Sequence, residues 1–289
     1  MRILVFGTTG QLARELLRRA PAGVTLTALG RDRADLSDPA ACARTVAEAE
    51  ADLVINAAAH TAVDQAESEP ALADRINGEA PGAMAAAAAK RGLPFLHVST
   101  DYVFDGSGTK PWREDDPVAP LGAYGRSKLL GESLIAEAGG NAVILRTAWV
   151  FSAHGKNFVK TMLRLGAERN ALSVVDDQRG GPTAAADIAD ALFTIARAFG
   201  DGQGVPGTFH FAGAPTVSWA DFAERIFAAS DLPRKPVVNR IPASAYPTPA
   251  QRPANSALDC SRILETYGIK QPDWQKSLSD VLRELEAGA

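Results

Sequence analysis

The stretch Arg2–Ala13, "RILVFGTTGQLA", decides how the chain folds. A short apolar run stops at Gly7, a second glycine follows at Gly10, and the helix-like "QLARELLRRA" begins at once. A buried strand, a glycine turn and a helix N-terminus in that order let backbone approach a pyrophosphate closely and set amide donors and a favourable dipole against it. Gly7 and Gly10 are therefore candidate cofactor contacts. The spacing is G-x-x-G-x-x-A, and Ala13 stands where a third small residue lets helix and strand pack closely.

Outward from this turn the same rhythm repeats. The apolar runs "VTLTALG", "DLVINAAA", "LPFLHVS", "AVILRTA" and "GTFHFAG" are separated by helix-like segments such as "PGAMAAAAAKRG". Continuous apolar runs of strand length between helical patterns predict parallel strands covered on both faces. The expected class is α/β, a doubly wound, Rossmann-like parallel sheet with a second, smaller α+β substrate domain. Residues 1–150 and 180–213 are assigned to the dinucleotide-binding domain, and residues 151–179 and 214–289 to the substrate-binding domain. Within the latter, "RIPASAYPTPAQRP" carries too many prolines for regular structure and is expected to be an ordered, extended loop.

Composition narrows the partners. With 289 residues, 46% of them hydrophobic, the chain can bury a sizeable core. Its 30 basic and 34 acidic residues give a net charge of -4, which offers no electrostatic case for nucleic acid or an anionic membrane. Cys42 and Cys260 show neither disulfide nor zinc spacing. The apolar start is too short for a signal peptide or a membrane span, so a soluble cytoplasmic protein acting on a small molecule is expected.

Cofactor choice is read about 20 residues past the glycine turn, where an acid would bind the adenosine ribose. Gly30-Arg31-Asp32-Arg33 stands there. A glycine in the acid's place removes repulsion of a 2′-phosphate, and Arg31 or Arg33 can pair with it. NADPH is preferred on this reading, and Asp32 keeps NADH open.

Ligands of doubly wound sheets sit beyond the carboxyl ends of the strands. The run "LPFLHVS" is followed by Thr100, whose hydroxyl would face that cleft, and Tyr124-Gly-Arg-Ser-Lys128 comes later. Residues four apart share a helix face. A phenol of pKa near ~10 is a poor acid at neutral pH, but a cation about 4 Å away interacts with phenolate by roughly 4 kcal/mol at an effective dielectric near 20. That is about 3 pKa units at roughly 1.4 kcal/mol each. Lys128 would thus bring Tyr124 into range for general acid catalysis. Tyr102 has Gly106 at the corresponding position and lacks such a partner.

The glycine turn, Thr100 and Tyr124-x-x-x-Lys128 resemble the extended short-chain dehydrogenase/reductase superfamily. "NAAAHTAVDQAESEP" (56–70), "STDYVFDG" (99–106), "RTAWVF" (146–151), "NFVKTMLRL" (157–165), "VVDDQRGGPT" (174–183) and "SAYPTPAQRPANSALD" (244–259) are similar to the dTDP-4-dehydrorhamnose reductases within it. The resemblance implies reduction of the C4 ketone of dTDP-4-dehydro-6-deoxy-L-mannose to dTDP-L-rhamnose in nucleotide-sugar biosynthesis. It implies catalysis by Tyr124, Lys128 and Thr100. Gly10, Gln11 and Leu12 would lie along the pyrophosphate, Asp35 and Leu36 near adenine, and Ala59, His60 and Thr61 along the cofactor, with Tyr124 and Lys128 also touching it. Asp101 and Trp149 would face the sugar nucleotide, and Asn157 and Arg252 are further candidate substrate contacts, Arg252 for the diphosphate.

Two other readings follow the same scaffold, a sugar-nucleotide 4,6-dehydratase, 4-epimerase or other reductase of the superfamily, and a non-catalytic regulatory or binding subunit. Sugar-nucleotide 4,6-dehydratases of this group place Asp-Glu after the threonine, whereas Asp101 is followed here by Tyr102. The non-catalytic subunit of methionine adenosyltransferase also resembles these reductases, and the intact Thr100, Tyr124 and Lys128 set favours catalysis over that role. No carboxylate motif has the spacing of a dedicated metal site. A magnesium ion stays open only where folding or dimerisation gathers Glu15, Glu284 and Glu286, and both a monomer and a homodimer are compatible with the sequence.

Overall fold

The computed structural model describes residues 1–287. Strands β1 (Arg2–Phe6), β2 (Thr25–Leu29), β3 (Leu53–Asn56), β4 (Phe95–Thr100), β5 (Ala142–Thr147) and β10 (Gly207–His210) form one sheet in the order β10-β5-β4-β3-β1-β2. Every neighbouring pair is parallel. The order reverses between β1 and β3, which is where a doubly wound sheet opens a crevice at its carboxyl edge.

Helices cover both faces, as parallel strands without a polar side require. Helices α1 (Gln11–Arg19) and α8 (Ala185–Gly200) pack together on one face, over a core that includes Ile3, Val5, Leu16, Leu145 and Leu192. Helices α2 (Pro39–Glu48), α5 (Ala80–Lys90) and α6 (Ala123–Ala138) cover the other, over Leu4, Phe6, Val54, Met84 and Ile135. The alternation of Ile3 and Val5 with Leu4 and Phe6 is the two-residue period of a strand buried on both sides. Short helices α3 (Val63–Ser68) and α4 (Pro70–Asp74) and a π-helical turn, Arg75–Glu79, lead into α5.

Beyond β5 the elements are shorter: β6 (Val150–Phe151), α7 (Phe158–Glu168), β7 (Ala171–Val175), β8 (Arg179–Gly180), β9 (Thr183–Ala184), β11 (Val217–Ser218), α9 (Trp219–Ala229), β12 (Val237–Ile241), β13 (Asn255–Ser256), α10 (Ser261–Tyr267) and α11 (Trp274–Ala287). Helices α7, α9 and α11 and strands β7 and β12 enclose a separate core around Phe151, Phe222, Phe227, Trp274 and Leu278. Leu258, Cys260 and Ile263 pack instead into the core beneath α1 and α8, so the chain crosses back after β13. The proline-rich stretch has only a short 3₁₀ turn, Ala243–Ala245, before β13. Cys42 and Cys260 are buried free thiols. Among the described residues, no helix is long and apolar enough to cross a membrane.

Candidate active site

A cleft of about 880 Å³ opens beyond the carboxyl ends of β1, β3 and β4. Its floor is the glycine turn. Gly7 has φ +115°, a backbone conformation that side chains rarely adopt, and a Cβ there would sit 3.3 Å from Ala13 and 3.5 Å from the Ala57 carbonyl. Gly10 caps α1 with open space where a Cβ would point, so the backbone amides of the helix's first turn are accessible to an anion. Gln11, Leu12, Arg31, Asp35, Leu36, Ala59, His60 and Thr61 also line the cleft. The Arg31 guanidinium lies 3.3 Å from the Asp35 carboxylate and is largely exposed. Asp35 is held below the usual carboxylate range, first by the Ser37 backbone amide and then by Arg31.

The wall is made by the end of β4 and by α6. The Thr100 hydroxyl donates to Asp101 Oδ1 at 3.0 Å and accepts from the Tyr102 amide at 3.2 Å. Helix α6 has no side-chain cap of its own, and Glu67 accepts from the Ala123 amide at 2.7 Å instead. A Cβ at Gly125 would strike the Tyr102 carbonyl oxygen, so this glycine lets α6 approach the strand end and bring Tyr124 beside Thr100. Tyr124 and Tyr102 meet edge to face, with ring centroids 5.6 Å apart. Tyr124, Lys128, Thr100, Asp101 and Trp149 all border the cleft.

The electrostatics differ from the expectation of a lysine drawing the phenol down. Lys128 Nζ donates to the Val98 carbonyl at 2.7 Å and lies 2.9 Å from His97 Nε2. Burial pushes Tyr124 up to about 12, Asp101 adds to that rise, and the nearby Thr100 hydroxyl works against it. Burial pushes Lys128 down to about 8, with Glu132 opposing. The i, i+4 spacing does put both side chains at the same cleft, but the ammonium is engaged by β4. Asp101, buried with Oδ2 unpartnered, is raised to about 6 by desolvation.

Residues 1–287 match the family described as the RmlD substrate binding domain. The chain is 47% identical to a dTDP-4-dehydrorhamnose reductase of Burkholderia thailandensis, over 99% of both proteins. It belongs to the dTDP-4-dehydrorhamnose reductase family. Among solved members, the reductase of Clostridium acetobutylicum superposes with a TM-score of 0.91 at 37% identity, covering 99% of this chain and 100% of that one. The reductase of Bacillus anthracis, determined in complex with NADP, also gives 0.91, at 32% identity over 98% and 99% of the two chains. The glycine turn, with its close backbone approach and open helix N-terminus, fits a dinucleotide of that kind.

Two further candidate substrate contacts, Arg252 and Asn157, sit differently from expectation. Arg252 does not line the cleft; its Nη2 pairs with Asp64 Oδ2 at 2.9 Å, so its charge is already matched. Asn157 borders the cleft, but its amide nitrogen donates to Gln11 Oε1 at 2.9 Å and to the Ser152 carbonyl at 2.7 Å while Oδ1 caps α7. It ties the glycine turn to the second core. The folding does gather Glu15 and Glu284, together with His154, whose ligand atoms lie within 4.8 Å of one another. Arg18 Nη2 sits 2.8 Å from Glu15 and 3.1 Å from Glu284, so one guanidinium already pairs with both carboxylates and a dication could enter only by displacing it. Glu286 is exposed and outside the cluster.

The cleft and the buried shell behind it also hold residues that the motifs did not single out. Trp219, the first residue of α9, stacks on Trp149. Asn77 clamps the backbone of His60 from both sides, at 2.8 and 3.0 Å, and donates to Ser127 Oγ on α6 at 3.0 Å. His97 and Asn56 lie behind Lys128, and a histidine inside an apolar strand run was the available signal.

Proposed function

We propose that the chain reduces the C4 ketone of dTDP-4-dehydro-6-deoxy-L-mannose to dTDP-L-rhamnose, with NADPH preferred and NADH accepted. The observation that carries this reading is the meeting of Tyr124, Thr100 and Lys128 on one wall of a cleft floored by the Gly7–Gly10 turn. When bound, the reduced nicotinamide supplies the hydride that C4 receives.

The chain's own groups handle the oxygen. Tyr124 delivers its phenolic proton to the developing alkoxide, and Thr100 donates a hydrogen bond to the same oxygen. A phenol held at about 12 stays fully protonated at neutral pH, as a proton donor must. Lys128 stabilises the phenolate left behind, and burial of the pair strengthens that interaction. Trp149 and Asp101 orient the sugar nucleotide. Residues 1–150 and 180–213 serve the cofactor, and residues 151–179 and 214–289 the substrate, with the Leu258–Ile263 stretch anchored in the first core. We place the activity in the cytoplasm, as a monomer or homodimer, where nucleotide sugars and reduced nicotinamide are made.

The test supplies the purified chain with dTDP-4-dehydro-6-deoxy-L-mannose and each reduced cofactor, and follows nicotinamide oxidation. Turnover with NADPH is expected, and Tyr124→Phe should lose roughly 100-fold or more, the scale of a general acid. Near-normal turnover by Tyr124→Phe would reject the assigned acid, and no turnover by the unaltered chain would reject the reading.

A further inference from the structure

Behind the catalytic wall Lys128 ends a buried polar chain whose other members, Asn56 and His97, have no part in the reduction chemistry above. Asn56 closes β3, His97 lies opposite it in the middle of β4, and Lys128 reaches His97 from α6. All three are 2% exposed or less. The Ala58 amide donates to Asn56 Oδ1 at 3.1 Å; Asn56 Nδ2 lies 3.1 Å from His97 Nδ1; and His97 Nε2 lies 2.9 Å from Lys128 Nζ.

The order of donors in this chain is determined at its far end. A backbone amide only donates, so Oδ1 of Asn56 must face Ala58 and its NH₂ must face His97. His97 Nδ1 then accepts. A neutral imidazole whose Nδ1 accepts carries its proton on Nε2, and that proton points at Lys128 Nζ. An ammonium has no lone pair with which to receive it. Turning the Asn56 amide over would set its NH₂ against the Ala58 amide, leaving a buried donor without an acceptor.

We propose that His97 is a positioning residue for Lys128, held by Asn56 toward the Nε2–H tautomer, so that charging Lys128 is coupled to turning the Asn56 amide away from Ala58. The charged or titratable neighbours of Lys128 are His97 from β4 and, on α6 itself, Tyr124 and Glu132, the latter paired with Arg146 of β5; β3 contributes only the neutral Asn56. Ala58 belongs to the segment that also lines the cleft through Ala59, His60 and Thr61. The charge on Lys128 and the seating of that segment are therefore one coupled switch, and a ligand that presses on residues 57–61 alters the charge of the lysine.

The inference bears on the reductase reading through Lys128, but its test is made on the protein alone. In ¹⁵N-histidine protein near neutral pH, His97, assigned by loss of its signals in His97→Gln, should show a bare Nδ1 and a protonated Nε2. In Asn56→Asp the carboxylate accepts from Ala58 and from His97 Nδ1–H together, so the proton should move to Nδ1 and Nε2 should become an acceptor for the ammonium. The titration midpoint of Lys128, read from its ¹³Cε resonance and assigned with Lys128→Met, should then rise by about one pH unit or more, as an added opposite charge nearby requires. A proton on Nδ1 in the unaltered protein overturns the proposal, and that measurement decides alone if Asn56→Asp does not fold. An unmoved tautomer in Asn56→Asp, or a moved tautomer with an unchanged Lys128 midpoint, overturns it as well. None of these outcomes touches the turnover assay, so the two readings fail separately.

Discussion

The indoles of Trp149 and Trp219 lie face to face, with ring centroids 3.5 Å apart and planes within 9°. Trp149 ends the sheet's side of the cleft and Trp219 begins α9 in the second core, so the stack joins the two halves across the cleft. Trp149 has φ +50°, a left-handed conformation that costs a bulky residue of order 1–3 kcal/mol. The stack and the Thr183 amide, which donates to the Trp149 carbonyl at 3.2 Å, hold it there.

Trp219→Ala is therefore expected to raise KM for the sugar nucleotide while leaving kcat and cofactor affinity nearly unchanged. A stacked aromatic pair contributes about 0.5–1.5 kcal/mol beyond its buried area, equivalent to a rise of roughly 2- to 12-fold. Steady-state kinetics with saturating NADPH measure it, and a drop confined to kcat would show that the stack serves the chemistry rather than binding.

Asp101 couples function to stability. Its carboxyl, raised from 3.8 to about 6 by burial, favours the protonated form in the folded protein. Stability is thus fully retained below about pH 4, falls as pH rises through the interval to about 6, and stays reduced above it. Asp101→Asn removes this cost while its amide oxygen still accepts from Thr100. At pH 7.5 the variant should be more stable by up to roughly 3 kcal/mol, at about 1.4 kcal/mol per pKa unit, and the gain should vanish near pH 4. Urea unfolding at the two pH values checks it, with an equal difference at both excluding the titration as its cause.

Local patterns carried much of this architecture. The glycine turn, the alternating strands and helices, and the Tyr124/Lys128 pair are all written in residues a few positions apart, where period and spacing are direct physical constraints. What those patterns do not contain is the partner of a side chain. Lys128 was expected to face the phenol, yet its nitrogen is held by His97 and Val98, 31 and 30 positions away. Arg252 was expected at the diphosphate and is matched by Asp64, 188 positions away. A charge's role depends on what the fold brings to it, and only the assembled sheet and loop supply that. Trp219 had no motif because its meaning arises from the indole it covers.

Asp32 is the group expected to tune cofactor preference, because its carboxylate folds over Gly30. A Cβ at Gly30 would lie 2.6 Å from Asp32 Oδ1 and 3.1 Å from Thr8 Oγ1, so Asp32 turns back into the corner where the adenosine ribose is expected. A 2′-phosphate there meets its negative charge, while Arg31 is shared with Asp35. Two unit charges about 4 Å apart interact by roughly 1 kcal/mol in a water-like dielectric, or about fivefold in an equilibrium. Asp32→Ala should raise the ratio of kcat/KM for NADPH over NADH by about that factor or more. An unchanged ratio would place the discrimination elsewhere on the rim.

The last prediction concerns the ion pair beneath the site. Arg146 of β5 donates to Glu132 of α6 through Nε at 3.0 Å and Nη2 at 2.6 Å, with both side chains 6% exposed. The guanidinium also lies over the Phe104 ring, 5.1 Å from its centroid, and its Nη1 is 3.4 Å from the Glu114 carbonyl. Burial, together with the Arg146 charge, pushes His210 down to about 3, so the imidazole cannot share the load as a second cation. Removing one partner of such a pair leaves an uncompensated buried charge, at a cost of about 3–5 kcal/mol. Glu132→Ala should show that loss in urea unfolding. Removing both charges with apolar residues of similar volume, as in Glu132→Leu with Arg146→Met, should recover most of it, because the pair's attraction is offset by the desolvation of its own members. Glu132 is also the group that holds Lys128 toward its charged form, so the double variant should be stable yet slow. Recovery of full turnover along with stability would show that the pair is structural only.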